Sequence, residues 1–495
     1  MVDALRGGGV LLLAAVLIVA GVLCGRNPPS LEAMLVGATS IVLIAPFLVR
    51  KARNVSTDLF DPLLVFAVAY GVMFVLRPAY MLVVGTDYYA LAGVSIDIRA
   101  TFVEMQVLGL LGAMAFVTGY EMRIGTGRVT RWRAPVEPRS ESVATAATVV
   151  AIIGAVAALG FLVSIGGPQA LFGGRSEAYF EALRGASKYL YLAPTVLIGA
   201  ALLYLVAWSI ERRPLYMAGV VACIALLLLV RAPVGSRLAL FPLVAAPAIF
   251  WYGIHGKRPR TISVVALLLV AVVASNLILN TRNESARQEG GVAQAVRAIS
   301  DDPLRVFSPL TEGQDAAIAP ALAAALTIVP SDIPHTYGAA TVGDLFSRAV
   351  PRALWPDKPQ PPRERVVDAL FGKAYAQGTA NPEFSVLFAW YLDWGWIGMG
   401  AMFILGMGVR LFGEYSFANR HNRLVVAMFA AAWPMFVASL RDTPVDSLVR
   451  AAFVVGPLIL VALLYLPARA SSSSFRRQPR AGVPSSAAER WAIDR

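Results

Sequence analysis

The sequence predicts an all-α polytopic membrane protein with about 12 transmembrane helices and one long, partly helical loop on the outer face. Of its 495 residues, 57% are hydrophobic and 15% are charged, whereas soluble domains carry roughly 25% charged residues. The mean hydropathy is +0.65. Apolar runs of about 20 residues recur along the chain, which is the length a helix needs to cross a hydrocarbon core.

The apolar runs define the predicted spans in order. They fall near 8–24, 31–49, 61–81, 101–120, 143–164, 189–209, 215–231, 237–254, 262–280, 384–411, 424–440 and 450–466. The chain divides accordingly into an N-terminal bundle (1–280), a long loop (281–382), C-terminal spans (383–467) and a Ser- and Arg-rich tail (468–495), which we expect to be disordered.

Basic clusters predict the orientation of these spans. Six clusters fall in every second connection, at 50–53, 123–133, 212–213, 257–260, 420–423 and 476–480. Because Lys and Arg accumulate on the cytoplasmic side, both termini are predicted to be cytoplasmic and the long loop extracytoplasmic, in the inner (cytoplasmic) membrane. The net charge of +12 is thus explained by topology and by anionic lipid, and does not indicate nucleic acid.

The sequence lacks the motifs of several well-known kinds of binding and catalytic site. No phosphate-binding loop, dinucleotide fingerprint or His-Glu-x-x-His motif occurs. The two cysteines, Cys24 and Cys223, lie in apolar segments and form no disulfide or metal pattern. Asp301-Asp302 before Pro303 is typical of a turn rather than of a metal pair. We therefore expect no metal and no cofactor.

Arginines on the outer side break the usual charge bias. Arg231, Arg237 and Arg282 stand at the ends of predicted spans, and Arg348 and Arg352 follow in the long loop. The planar guanidinium binds phosphate oxygens two at a time and keeps its charge when partly dehydrated. An arginine-lined mouth just above the lipid therefore suits a pyrophosphate whose polyprenyl tail stays in the bilayer.

The long loop is predicted to be ordered in part. Residues 290–299 and 316–328 have helical composition, while prolines at 330, 334, 351, 356, 359, 361 and 362 disfavour regular structure over much of the remainder. Large apolar residues such as Trp355 and Phe346 argue against disorder.

Three stretches carry a resemblance to a known family. They are Gly235-Ser-Arg237 opening a span, Val350-Pro-Arg-Ala-Leu-Trp-Pro-Asp-Lys-Pro359, and 383–398 with Tyr391 and Gly395. Over roughly 215–410 the chain resembles the O-antigen polymerase (Wzy-type) and oligosaccharide repeat-unit polymerase families. The resemblance implies metal-independent glycosyl transfer, in which a growing glycan leaves polyprenyl pyrophosphate and joins a hydroxyl of a new lipid-linked repeat unit.

That reaction assigns roles to residues of the outer side. Arg237 and Arg282, with Arg348, Arg352 and Arg231, are candidates for binding pyrophosphate. A base must take the proton of the acceptor hydroxyl, and the candidates are His335 first, then Glu383 and Asp332. His335 could equally be a turn residue beside Pro334. The candidates for contacts with substrate are Lys358, Trp355, Tyr337 and Tyr391, although Trp355 could instead dock the loop.

Two other functions fit the same pattern. An O-antigen ligase-like transferase would share the donor and the arginines but transfer the glycan to a lipid acceptor. A transporter of polysaccharide or lipid would be expected to carry charged or broken helices near the midplane and two matching halves. The expected partners are the lipid-linked glycan donor and acceptor, membrane lipid, a chain-length regulator and a flippase.

Overall fold

The computed structural model describes residues 28–54, 60–91, 93–122, 134–167, 187–231, 237–256, 317–350, 355, 357–376 and 382–465. Within these residues, nine helices are long and apolar enough to cross a membrane, which confirms a helical polytopic membrane protein. They are Leu31–Ala52, Pro62–Val84, Arg99–Glu121, Ser140–Ser164, Leu190–Ile210, Pro214–Arg231, Val386–Ala418, Arg423–Arg441 and Pro444–Leu464.

The helices before the long loop follow the predicted spans. They are α1 (Pro28–Ala52), α2 (Pro62–Gly71), α3 (Arg77–Val84), α4 (Phe102–Glu121), α5 (Ser140–Ser164), α6 (Ser187–Leu192), α7 (Val196–Ile210), α8 (Pro214–Arg231) and α9 (Arg237–His255). A π-helical turn, Val72–Leu76, joins α2 to α3. The predicted spans 8–24 and 262–280 lie outside the described residues.

The helices of the loop and the C-terminal part complete the bundle. They are α10 (Ile318–Leu326), α11 (Asp344–Ala349), α12 (Pro362–Phe371), α13 (Lys373–Ala376), α14 (Val386–Trp394), α15 (Gly400–Ala418), α16 (Arg423–Arg441) and α17 (Pro444–Leu464). Side-chain hydrogen bonds cap the N-termini of two of these helices. Asn422 accepts hydrogen bonds from the backbone N–H groups of Leu424 and Val425 before α16, and Thr443 accepts from Asp446 before α17.

The structure differs from the sequence expectations in three connections. Between α3 and α4 the chain forms a hairpin of β1 (Tyr88–Leu91) and β2 (Val94–Asp97), so the described residues are not purely helical. Pro362 begins α12 inside the proline-rich stretch, because a proline at the first helical position loses no hydrogen bond. The last span begins at Pro444 rather than near 450.

The tenth predicted span is also broken where the sequence suggested one helix. Gly395, with φ +58, ends α14, and a 3₁₀ segment Gly395–Met399 leads into α15. A methyl group on Gly398 would collide with the carbonyl of Trp390, so the chain doubles back tightly here. Gly406 allows close helix packing, because a Cβ there would meet the carbonyl of Phe116 on α4 at 2.2 Å, whereas a Cβ on Gly400 or Gly408 would meet nothing within 4 Å.

Helix α10 shows that part of the long loop is inserted into the bundle. All nine of its residues are buried, and the Thr101 hydroxyl, just before α4, donates to the Ala323 carbonyl at 2.8 Å. Together with α12 and α14, it joins the apolar core formed by α1–α4. A second core is formed by α5, α7, α8, α9, α16 and α17.

Contacts between the termini of neighbouring helices define two ends of the bundle. At one end lie the β-hairpin, the loop helices and the α16–α17 turn, and Tyr89 of the hairpin packs edge-on against Phe371 of α12. At the other end, Arg50 pairs with Asp61 and Glu121. We call these the loop end and the opposite end. Arg50, in the first basic cluster, and Glu121, just before the second, were predicted to share a side and do meet here.

Candidate functional site

Charged side chains gather at the loop end, between the two apolar cores. We call this group the loop-end network, and its members are Asp344, Arg348, Arg363, Glu383, Arg441, Asp442, Asp446 and Arg450. Four guanidinium groups face four carboxylates. The network joins the loop helices α11 and α12 to the starts of α14 and α17 and to the end of α16.

Arg348 connects the loop to the last membrane span. Its Nη2 lies 2.7 Å from Oδ2 of Asp344, one turn back on α11, and its Nη1 donates to Asp446 on α17. Burial of the guanidinium opposes its charge, but Asp446 and Asp344 outweigh this effect, and the pKa of Arg348 is raised above its ordinary value. Arg348 is therefore a permanent, partly buried cation held by two elements.

Arg363 and Glu383 form the second part of the network. Nη2 of Arg363 donates to the Pro382 carbonyl at 2.7 Å and lies 3.2 Å from Oε2 of Glu383. The other carboxylate oxygen of Glu383 is 3.9 Å from Nη2 of Arg441. Glu383 therefore lies between two cations, one from the loop and one from α16.

Asp442, in the turn between α16 and α17, forms the third part. Its side chain is buried and its Oδ2 accepts from Nη1 of Arg450. Burial raises the pKa of Asp442 to about 7 against the lowering effect of Arg450, with Glu383 adding to the rise. A raised pKa means that Asp442 takes up a proton at a higher pH than an ordinary aspartate does.

Several buried polar atoms of this region have no hydrogen-bond partner in the described part of the chain. They are Nε of Arg363, Oδ1 of Asp344, Oδ1 of Asp442, and the hydroxyls of the neighbouring Ser385 and Ser447. Buried polar atoms are nearly always paired in folded proteins. Their concentration at one place indicates a site with unused hydrogen-bonding capacity.

His335 lies at the same end, against the break that follows α14. Its ring is 5.5 Å from the Tyr391 ring in an edge-on arrangement, and the Tyr391 hydroxyl donates to Oε1 of Glu104 on α4 at 2.8 Å. A Cβ on Gly395 would lie only 3.1 Å from Nε2 of His335. Nδ1 is buried with no hydrogen-bond partner among the described residues.

Asp393 fixes the loop around His335, and the sequence reasoning missed it. Its buried carboxylate accepts from the Thr336 and Thr341 hydroxyls and from the Ala340 backbone N–H, the last at 2.8 Å. The Tyr337 N–H donates to the Asp393 carbonyl at 3.0 Å. An aspartate in an otherwise apolar run was the available signal, because such residues are rare and almost always have partners.

Arg231 is arranged differently from the network arginines. It is only 1% exposed, its guanidinium carbon lies 3.7 Å over the Tyr191 ring, and Nη2 donates to the Tyr191 carbonyl. Nε and Nη1 have no partner in the described residues. Arg231 thus does not reach outward to lipid headgroups.

The remaining predicted site residues lie around these groups. Tyr337 is exposed on the loop, Asp332 is exposed on the turn after α10, and Trp355 is half-exposed. Nζ of Lys358 donates to the Val350 carbonyl at 3.2 Å. Arg282 and Arg352 lie outside the described residues, and Arg237 is described only as the first residue of α9. The helix α11 ends at Ala349, before Arg352, so a shared helix face for Arg348 and Arg352 is not observed.

The structure thus brings together Arg348 and Glu383, and it adds groups that the sequence reasoning did not place. Arg363, Arg441 and Arg450 lie in or beside connections that were predicted to face outward, but the carboxylates Asp344, Asp442 and Asp446 of the same network were not identified. Among the described residues, no group of three or more His, Cys, Asp or Glu side chains is arranged to hold a metal ion.

The chain matches no protein-family model, no curated protein and no solved structure. The function is therefore inferred from the residues themselves.

Proposed function

We propose that this protein is a glycosyltransferase that polymerises polyprenyl-pyrophosphate-linked oligosaccharide repeat units at the outer face of the cytoplasmic membrane. The observation that supports this most is the loop-end network, in which four partly buried guanidinium groups meet at one end of a membrane bundle beneath an inserted loop. The family resemblance in the sequence supports the same reaction.

Pyrophosphate is the ligand that suits this arrangement. Guanidinium groups bind phosphate oxygens in pairs and tolerate partial dehydration, so they favour a diphosphate at the boundary of a bilayer. The network holds its arginines in place through carboxylates from several elements. An entering diphosphate would replace carboxylate partners of Arg348 and Arg363 and use the donor that Arg363 leaves unpaired.

The chemical step balances without a cofactor. The bond between the anomeric carbon of the donor glycan and the pyrophosphate oxygen breaks, and the pyrophosphate leaves with the electron pair as a stable anion. The acceptor hydroxyl oxygen forms the new glycosidic bond, and its proton passes to a base. Arginines near the departing oxygen stabilise the developing charge.

His335 is the base that we favour. A histidine changes its charge near neutral pH and acts as a general base in many enzymes. Its Nδ1 has no partner within the described residues, whereas Glu383 lies between two arginines. Asp332 is exposed on a turn. Tyr391 and Asp393 would act as positioning residues, because one packs against the ring of His335 and the other fixes the adjacent loop.

The test is chain extension by the purified protein in detergent, supplied with a lipid-linked oligosaccharide. We expect longer lipid-linked chains with no gradient and no second compartment. Transfer only to an added lipid core would instead indicate a ligase. Absence of any glycan transfer, together with movement of the lipid-linked sugar in vesicles, would indicate a transporter and overturn the proposal.

Variants sharpen this test. Arg237→Ala and Arg282→Ala should abolish extension while leaving membrane insertion unchanged. Arg→Lys at either position should also be poorly tolerated, because lysine keeps the charge and loses the planar fork. Near-normal polymer from both alanine variants would remove those two arginines from the pyrophosphate site.

A further inference from the structure

The loop segment Ala339–Ala349, made of a π-helical turn and α11, has the reverse of the polarity expected of a water-facing helix. Asp344 is 5% exposed and, together with Arg348, faces the bundle through the loop-end network. Val342 and Phe346, one turn apart, are 58% and 71% exposed. A surface helix in water places its charges outward and its apolar residues inward.

This segment is attached to a helix that belongs to the membrane. Asp393, near the end of α14, binds the loop through Thr336, Ala340 and Thr341. The Tyr337 ring, 75% exposed, packs edge-on against the Trp394 ring with centroids 6.3 Å apart. The loop therefore cannot lie far from the surface that α14 and the following 3₁₀ segment present.

That surface continues the apolar face of the loop. Trp394 and Trp396 are each nearly half exposed and Ile397 is 86% exposed, and all three lie within Val386–Ala418, which is apolar and long enough to cross a membrane. We call the six outward-facing side chains the loop apolar surface, and they are Tyr337, Val342, Phe346, Trp394, Trp396 and Ile397.

We propose that the loop apolar surface lies in the loop-end leaflet of the bilayer and contacts the acyl chains of membrane lipid. Tryptophan and tyrosine concentrate where hydrocarbon meets headgroups, and aliphatic and phenyl groups favour the layer just below. Exposed to water, the same surface would form an unusual apolar patch. Lipid is the occupant that continues from the neighbouring membrane span.

The reversed polarity of α11 follows from this placement. A charged side chain facing hydrocarbon is costly, so Asp344 and Arg348 pair inside the bundle while Phe346 faces lipid. The long loop then does not lie entirely in water above the membrane. Part of it is a membrane-embedded wall of the bundle, with the loop-end network directly behind it. This inference does not require the proposed glycosyl transfer.

Site-directed spin labelling tests the placement directly. The full chain with Cys24→Ser and Cys223→Ser is purified, labelled singly at Val342→Cys or Phe346→Cys, and reconstituted into liposomes. Asp332→Cys, on the exposed turn of the same loop, is the matched control. Collision rates are measured with oxygen, which concentrates in hydrocarbon, and with a water-soluble nickel complex.

We expect the ratio of oxygen to nickel collisions to be several-fold higher at 342 and 346 than at 332. A ratio at 342 and 346 equal to that at 332 would show a water-facing loop and overturn the proposal. Protection of both positions from both reagents would show burial against protein, including a second copy, and would overturn it as well. If one label disturbs folding, Tyr337→Cys gives the same readout.

Discussion

The bundle carries a charged network at each end, and the two are built differently. The opposite-end network consists of Arg50, Asp61, Tyr120, Glu121, Arg410 and Glu414. There Asp61 accepts from Arg50, from the Tyr120 hydroxyl at 2.8 Å and from the Leu63 N–H at 2.9 Å. Within the described residues, no buried side-chain atom of this network lacks a hydrogen-bond partner, whereas the loop-end network has several.

The difference separates a structural network from a candidate site. At the opposite end, neighbouring helix ends satisfy one another, as the caps and topology signals of a membrane bundle require. At the loop end, the charged side chains come from loop helices as well as from membrane spans. Several of their donors and acceptors have no hydrogen-bond partner among the described residues. Unused capacity costs stability, so its retention at one end points to a ligand there.

The largest expected effect comes from Arg348→Ala. Removing this guanidinium leaves Asp344 and Asp446 without their shared cation, and breaking this partly buried pairing should cost about 3 kcal/mol, the lower end for buried pairs. Losing a charge-stabilising donor should also lower the rate of chain extension by at least about 10²-fold. Thermal unfolding and extension rates in detergent measure both effects.

Arg410→Ala is the matched change at the opposite end. Its Nη1 donates to the Tyr120 carbonyl at 2.9 Å, so the variant should lose about 1–3 kcal/mol of stability and keep its rate of extension. Equal loss of activity in both variants would mean that the loop-end network is structural. Arg348→Lys provides the check if the alanine variant does not fold, and we expect it to fold and remain inactive.

His335→Ala should lower the rate of extension by about 10²–10⁴-fold, the usual contribution of a general base. The pH–rate profile should lose the limb that requires a neutral imidazole. Tyr391→Phe, which removes the hydrogen bond to Glu104, should keep that limb. Full activity of His335→Ala across pH would move the role of base to Glu383 or Asp332.

Two glycines of the same predicted span offer a smaller contrast. Gly395 has φ +58 and its Cα faces His335, so Gly395→Ala should cost about 1–3 kcal/mol through backbone strain. Gly400 is helical and has nothing near a new Cβ, so Gly400→Ala should be neutral or slightly stabilising. Unfolding midpoints compare them. Equal midpoints would contradict the assigned backbone at Gly395.

Asp442→Asn should have the smallest effect, visible as a change in pH dependence. The pKa of Asp442 is about 7 in the folded protein, against 3.8 for an ordinary aspartate. The folded state therefore binds more protons between these values, and its stability falls as pH rises from about 4 to 7. Asp442→Asn should flatten this decline relative to the unaltered protein. An unchanged slope would assign the decline to other groups.

The sequence predicted much of the fold because hydrophobic length is a strong signal. Each described span matches a predicted one, and α10 lies within 316–328. The break at Gly395 was not predicted, because its cause is a single positive φ within an apolar run. The β-hairpin was missed because hydropathy does not report strand pairing.

For the candidate site, the sequence predicted the types of residue but not how they pair. Arginine excess on the predicted outer side indicated a cationic region, and Arg348 and Glu383 do belong to one network. The pairing of Arg348 with Asp446 could not be found, because tertiary packing joins residues 98 positions apart. Asp393 was missed for the same reason, since its partners lie in a distant loop. The pairing of Arg348 with Asp344, one helical turn away, was missed because the nearby prolines disfavoured a helix.

Native mass spectrometry of the purified protein with polyprenyl pyrophosphate tests the central claim most directly. The account predicts that the unaltered protein and Arg410→Ala both carry the bound lipid, and that Arg348→Ala does not. Equal retention by all three proteins, or retention by none, would contradict a pyrophosphate site in the loop-end network.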